Sequence, residues 1–298
     1  MTKNTLSITG ILGALIVTLS IATIASMQSQ DTGLPSLVSF VMLAFIIQWL
    51  AFIPAYAFQT EKYFDLLGSL TYIILATTAL SMSSMQPGSI AIAAMVTLWA
   101  LRLGSFLYGR VRQVGHDTRF RSIKPDFFQF LMTWTLQGMW VSLTFCAGLT
   151  ALLTAETHPL DVFVVAGCGL WLAGFMVEVI ADRQKTAFRL QESNSGKFIQ
   201  HGLWAWSRHP NYFGEILLWT GISVAAFPVL EGLQLVTLIS PIFVFLLLTK
   251  ISGVRMLEAQ ARRRWGDDPE YKLYLQRTPT IMLNPFVQGG NQGDNIRR

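Results

Sequence analysis

Charge is what this chain has least of. Only 13% of its 298 residues are Asp, Glu, Lys or Arg, about half the share of an ordinary soluble domain. That shortage excludes a fold that meets water on every side. Cysteine is nearly missing as well. Cys146 and Cys168 both lie within apolar stretches and share no metal-ligand spacing, which excludes a zinc site or a disulfide framework and leaves helix packing as their role. Repeats, long linkers and a separate soluble domain are absent too. The one low-complexity piece, residues 288–293, marks a tail over 288–298 that is expected to be disordered.

What the chain has in place of charge is apolar length. Hydrophobic residues make up 52% of it and the mean hydropathy is +0.46. Eight stretches are long enough to cross about 30 Å of hydrocarbon at 1.5 Å per residue: roughly 6–26, 36–57, 63–83, 88–108, 128–155, 160–182, 213–229 and 233–252. The first is not read as a signal peptide, because Met27-Gln28-Ser29-Gln30 offers no small-residue cleavage site. The expected fold is therefore all-α, a polytopic transmembrane bundle of seven or eight spans. It forms one membrane domain, with N-terminal spans over 1–58 and a core over 59–287.

The basic residues cluster in three segments. Arg110, Arg112, Arg119, Arg121 and Lys124 follow the fourth span; Arg183, Lys185, Arg189, Lys197 and Arg208 follow the sixth; Arg262, Arg263, Arg264 and Lys272 lie near the end. Cytoplasmic loops are enriched in Lys and Arg, so these segments are expected inside. Lys3 then falls inside too, the loops at 28–35, 86–88, 156–159 and 230–232 fall outside, and both termini are cytoplasmic. The basic segments 109–127, 183–212 and 253–287 are expected to cap the bundle.

Ionisable groups within spans are costly and usually face a cavity or a partner. Glu178, Asp182, Lys185 and Arg189 follow one another at spacings of 4, 3 and 4, so one helical face presents two deep acids and two shallower bases. A snorkelling helix end stitched by ion pairs would look similar, but Glu178 sits too deep for that alone. Asp65, Ser69 and Tyr72 share a face of the third span, and Arg102 lies one turn after Trp99 near the matching end of the fourth. Asp65 and Arg102 could pair there or join a site, while Glu61 is expected to be solvated at the interface. The segment from Gly202 to Glu215 is the densest in polar residues. Arg208 and His209 precede Pro210, and Asn211, Tyr212 and Glu215 enter the seventh span. Free N–H groups at a helix start, flanked by bases, suit an anion. Further on, Arg255, Glu258 and Arg262 form a stripe followed by Trp265, Tyr271 and Tyr274, either an interfacial helix or a cofactor wall. Gly167-Cys168-Gly169 has no preceding strand, so it is not a dinucleotide fingerprint and reads as helix packing.

The segments Phe64–Ser69, Arg110–Phe120, Ala181–Lys185 and Ser207–Glu215 together resemble the bacterial branch of the steroid 5α-reductase family, over about 64–286. The resemblance implies an all-helical protein of the bacterial inner membrane. NADPH would be held under cytoplasmic loops to reduce the 4,5 double bond of a 3-oxo-4-ene steroid or a similar lipid-soluble enone. It implies cofactor contacts from Glu178 and Asp182 (the first a departure from the family's Asn), a base near Arg189, and Asn211 with Glu215. Arg102, Lys185, Lys197, Arg208, His209, Tyr212, Arg255, Glu258 and Tyr271 complete the expected cofactor wall. The family's polarising acid and phenol match Asp65 and Trp99, the latter an indole, and Phe64 stands where the family has Gln.

Hydride addition to an enone builds negative charge on the carbonyl oxygen, and a donor must meet it. Asp65 serves if its surroundings keep it protonated; Tyr72 and the Trp99 N–H are the other candidate catalytic donors. The surplus of bases favours a 2′-phosphate, hence NADPH over NADH. Membrane lipids are expected partners and nucleic acid is not. One rival is an S-adenosylmethionine-dependent lipid methyltransferase of the isoprenylcysteine type, which shares the Arg-His-Pro triplet. The other is a non-catalytic transporter, which should show broken helices at mid-membrane.

Overall fold

The computed structural model describes residues 2–27, 36–114, 120–154 and 156–286, the side chains of 110–114 excepted. The loop at 28–35, most of the Arg110–Phe120 motif and the tail from 287 thus lie outside the described residues. Eight helical segments are long and apolar enough to span a membrane, and no strand occurs among the described residues. The protein is an all-α, multi-pass integral membrane bundle.

The first six spans are continuous helices: α1 (Lys3–Ser26), α2 (Leu37–Ala57), α3 (Phe64–Met82), α4 (Pro87–Val114), α5 (Phe127–Leu153) and α6 (Val162–Leu190). Local chemistry sets their ends. Pro87 opens α4, as its missing N–H suits a first helical position. Asp126 caps α5 by accepting from the Gln129 N–H at 3.0 Å, and Asp161 accepts from the Val164 N–H at 2.8 Å at the start of α6. A short α7 (Leu203–Trp206) precedes α8 (Pro210–Ala226), which is followed by α9 (Ile239–Leu246), α10 (Gly253–Trp265) and α11 (Pro269–Arg277).

Two departures from the sequence reading concern length. Helix α6 continues to Leu190, so the whole stripe from Glu178 to Arg189 is helical. The eighth span is not one uniform helix. A 3₁₀ stretch at Gly232–Leu238 leads into α9, and a π turn at Leu247–Ile251 leads into α10. The Ser252 N–H and hydroxyl both donate to the Leu247 carbonyl, at 2.9 and 3.1 Å, which is the wider i to i−5 closure of a π turn.

The described residues separate into two compact units: those up to Cys168 with Gly221–Ser240, and Gly169–Thr220 with those from Pro241 on. In the first unit α5 is the central helix. Of its most apolar window 83% is buried, against 22% for α1, and α1, α2 and α3 all pack on it. Gly138 makes room there, since a Cβ would stand 2.7 Å from the Phe45 ring. Neutral polar pairs tie these helices: Gln48 Nε2 donates to Thr71 Oγ1 at 2.8 Å, and Trp49 Nε1 to Thr135 Oγ1 at 3.1 Å. Contrary to expectation, Glu61 is buried, not solvated, and pairs with Lys124; a carboxylate at that depth needs such a partner.

Candidate functional site

In the second unit α6 and α8 touch backbone to backbone. A Cβ on Gly174 would lie 2.5 Å from the Gly214 carbonyl oxygen, and one on Gly214 would lie 2.6 Å from the Gly174 carbonyl oxygen. Only glycine at both positions permits this approach, the device by which helices pack closely in lipid. The sequence reading had singled out Gly167 and Gly169 instead. Gly167 does pack closely, 2.5 Å from the Gly221 carbonyl oxygen by the same measure, whereas Gly169 meets nothing within 4 Å.

The crossing has a chemical consequence. Glu178 and Asp182 stand one and two turns beyond Gly174, and Asn211 and Glu215 flank Gly214. The Asn211 amide accordingly reaches Asp182 Oδ1 at 3.4 Å, and a Cβ on Gly214 would lie 3.0 Å from Glu178 Cβ. Both acids are buried, at 3% and 8% exposure. Higher on the same stripe, the Lys185 ammonium lies 4.4 Å from the Trp204 ring centroid, a cation–π contact. Arg189 and Lys197 are exposed. None of Glu178, Asp182, Lys185, Arg189, Tyr212 and Glu215 is without a partner.

The segment leading into α8 is pinned to α6. Gly202 adopts φ +62°, and a Cβ there would strike the Gln184 amide at 2.4 Å. That amide accepts from the Leu203 N–H at 3.0 Å, and the Trp204 indole donates to the Ala181 carbonyl at 3.0 Å. A C-terminal strap covers the other side. The Arg208 N–H donates to the Pro279 carbonyl at 2.9 Å, the buried Ser207 hydroxyl to the Ile281 carbonyl at 2.8 Å, and the Tyr274 hydroxyl to the Trp204 carbonyl at 2.7 Å.

Held this way, Arg208 and His209 face Glu258 of α10. Arg208 Nη1 is 3.0 Å from Glu258 Oε1 and His209 Nε2 is 3.6 Å from it; Arg208 also donates to Thr280 Oγ1. His209 stacks on Tyr212, with centroids 5.5 Å apart and planes 10° from parallel. Burial pushes the His209 imidazole below its ordinary pKa, with Glu258 pulling the other way. The ring is neutral near pH 7 and offers one donor and one acceptor. Both ring nitrogens and Arg208 Nε are buried without a hydrogen-bond partner. Gly253, after the π turn, lets the Tyr212 ring approach; a Cβ would lie 2.7 Å from it. Tyr271 is buried among Phe198, Trp265 and Tyr274, and burial raises its phenol pKa. Arg255 is exposed and donates to the Lys250 carbonyl at 3.2 Å.

The remaining expected residues belong to the first unit. Tyr72 and Trp99 are completely buried and meet edge to face, centroids 5.2 Å apart. The Tyr72 hydroxyl is hydrogen-bonded to Thr144 Oγ1. Thr144 itself donates to the Trp140 carbonyl at 2.7 Å, so Tyr72 is the donor in the pair. Asp65 is half-buried in the first turn of α3. The Arg102 guanidinium lies over the Phe106 ring at 5.2 Å. Sequence reasoning missed Gly174, Gly214 and the strap at 278–284; the small-xxx-small habit of membrane helices could have flagged the glycines, but nothing local marks the strap.

Comparison with known proteins bears on this arrangement. A family model described as "Protein of unknown function (DUF1295)" matches residues 51–278. The 3-oxo-5-alpha-steroid 4-dehydrogenase 1 of Macaca fascicularis is 35% identical over 75 residues, 25% of this chain and 28% of that protein. The Homo sapiens protein of the same name is 33% identical over 75 residues, 25% of this chain and 29% of its own length. The chain thus spans under a third of the length of these curated relatives. No solved structure matches it.

Proposed function

The chain belongs to the DUF1295 family, and on that premise we propose that it is an NADPH-dependent reductase of a lipid-soluble enone, such as a 3-oxo-4-ene steroid. The observation that carries the reading is the α6–α8 glycine crossing. It gathers buried carboxylates, an amide and bases at one end of two membrane helices, and it does so in a chain similar to steroid dehydrogenases over 75 residues. Arg208 Nε is buried there without a hydrogen-bond partner, a donor that a ligand would satisfy.

The residues fit the cofactor in kind. Glu178, Asp182, Asn211 and Glu215 would meet hydroxyl and amide groups. Arg208, Lys185, Arg189 and Lys197 would meet phosphates, with Glu258 giving up Arg208 as a phosphate takes its place. His209, being neutral, would contribute a hydrogen bond and not a charge. NADPH, when bound, supplies the hydride. The chain's own task is to offer a donor to the substrate's carbonyl oxygen. We assign that role to Asp65, which must be held protonated to perform it, with the Tyr72 hydroxyl and the Trp99 N–H as the other candidate donors. The basic ends of the spans face the cytoplasm in this reading, where NADPH is found.

The test is a titration of detergent-purified protein with NADPH and, separately, with S-adenosylmethionine, read by thermal unfolding. Stabilisation by NADPH is expected; stabilisation by the methyl donor alone would end the proposal and favour a methyltransferase. Oxidation of NADPH in the presence of a 3-oxo-4-ene steroid is the second expected result. Asp65→Ala should abolish that turnover and leave NADPH binding within about twofold, the signature of an interaction made in the transition state.

A further inference from the structure

The acid proposed as donor sits on a backbone that is held from both sides by other side chains. Gln137, on the central helix α5 and 5% exposed, donates from Nε2 to the Phe64 carbonyl at 2.8 Å. That carbonyl belongs to the same rigid peptide plane as the Asp65 N–H. The Ser69 hydroxyl donates to the Asp65 carbonyl at 3.3 Å, on the next plane. With both flanking planes anchored, the direction in which the Asp65 side chain leaves the backbone has little freedom left.

The surroundings are shaped to keep the anchor in place. Gly68, one turn after Phe64, leaves the space that the Gln137 amide occupies; a Cβ there would stand 2.2 Å from Nε2. On the other flank Gly104 of α4 admits Ser69, whose Oγ would be 2.8 Å from a Cβ. The Phe64 ring is wedged edge-on against Trp134 and Phe120, with centroids 5.1 and 5.0 Å away. Gln137 Oε1 is buried and has no hydrogen-bond partner. An amide with half its polar capacity unpaired costs stability within a bundle. Gln48, a rung between helices, also leaves its Oε1 unpaired, so what distinguishes Gln137 is where its bond lands, on the peptide plane next to Asp65.

We propose that Gln137 is a positioning residue: by binding the Phe64 carbonyl in the gap left by Gly68 it aims the Asp65 carboxyl at the substrate's carbonyl oxygen. This rests on Asp65 having the role proposed above. Misaiming a donor by about 1 Å is enough to cost around a hundredfold in rate, whereas a helix-packing amide would affect stability alone.

The experiment compares wild type, Gln137→Met, Gly68→Ala and the double variant in the full-length protein. It measures NADPH affinity, thermal unfolding, and kcat and KM for the enone. The pH at which the Asp65 carboxyl ionises is followed by infrared difference spectroscopy, with Asp65→Asn as the reference. Gln137→Met keeps the volume and removes the donor. The expected result is a kcat at least about tenfold lower, with NADPH affinity within about twofold and a shift of about half a pH unit or more in the Asp65 ionisation. Gly68→Ala should reproduce it, and the double variant should be no worse than either single one, since both break the same contact. An unchanged kcat, or an Asp65 ionisation that stays where it is, overturns the proposal. So does a parallel loss of NADPH binding and stability, which would make Gln137 a packing residue. If the wild type reduces no enone, the proposed function fails, and the infrared titration still decides whether Gln137 governs Asp65.

Discussion

The two units of this protein bury polar groups in different ways. In the first, neutral rungs join helices: Gln48 to Thr71, Trp49 to Thr135, Tyr72 to Thr144. In the second, ionisable groups are gathered beside the neutral bonds: Glu178 and Asp182 on α6, Arg208 and His209 against Glu258. Neutral rungs satisfy hydrogen bonds and hold helices in register at modest net gain. Buried charges return little stability for what their desolvation costs, so a cluster of them points to a ligand. Glu61 is the exception: it is buried in the first unit and pairs with Lys124.

The contrast can be broken most forcefully at the glycine crossing. Gly174→Ala or Gly214→Ala pushes a methyl into the partner helix's backbone, so a stability loss of about 3 kcal/mol and abolished NADPH binding are expected. Gly169→Ala, with nothing within 4 Å, should be neutral or slightly stabilising in the same detergent unfolding assay. Equal behaviour of the three variants would show that the close approach does not matter.

Next in size is Glu258→Gln, which leaves Arg208 without its carboxylate. The two side chains are 15% and 18% exposed, between the surface and fully buried cases, so a loss on the order of 1–3 kcal/mol is expected in the ligand-free protein. Saturating NADPH should recover part of it if a phosphate replaces the carboxylate on Arg208. Recovery by NADPH no larger than in the wild type would count against that exchange.

A neutral rung should be worth much less. Gln48→Leu removes the bond to Thr71 and should cost about 0.6 kcal/mol, measured by the same unfolding midpoint. A loss as large as that from Glu258→Gln would erase the distinction between the units.

The smallest expected effect is a slope with pH. His158, whose Nε2 lies 2.9 Å from the Ala225 carbonyl oxygen, and His209 are both held below the ordinary imidazole value of 6.5 by burial. The unfolded chain therefore takes up the proton first. Their stability contribution is complete above pH 6.5 and is lost as pH falls from there through the folded values. Unfolding midpoints should decline below pH 6.5, and His158→Gln should flatten part of that decline. A flat wild-type profile down to pH 5 would contradict the burial of both rings.

Much of the fold could be read from the residues because it depends on one-dimensional quantities. Eight apolar stretches were expected, and eight helical segments long and apolar enough to span occur among the described residues, since the bilayer sets a length that any sequence must meet. The polar stripe from Glu178 to Arg189 was visible because α-helical spacing makes it so, and the helix does continue through it. Glu61 was misjudged because its partner lies 63 positions away, and no local pattern announces such a pair. The broken eighth span was missed for a related reason. Its π turn depends on Ser252 closing back onto Leu247, in a run whose composition is uniformly apolar.

By itself, then, the order of residues determined that this chain lives in a membrane, how often it can cross, and which side chains are too costly to be there by accident. Each of those follows from transfer energies and helical periodicity, which are properties of single residues and their near neighbours. Only the tertiary structure decided which of them meet. The Gly174–Gly214 contact, the pairing of Arg208 with Glu258 and the Gln137 bond to the Phe64 carbonyl join residues 40 to 73 positions apart. Such contacts depend on which helix faces which, and that is settled by packing over the whole bundle.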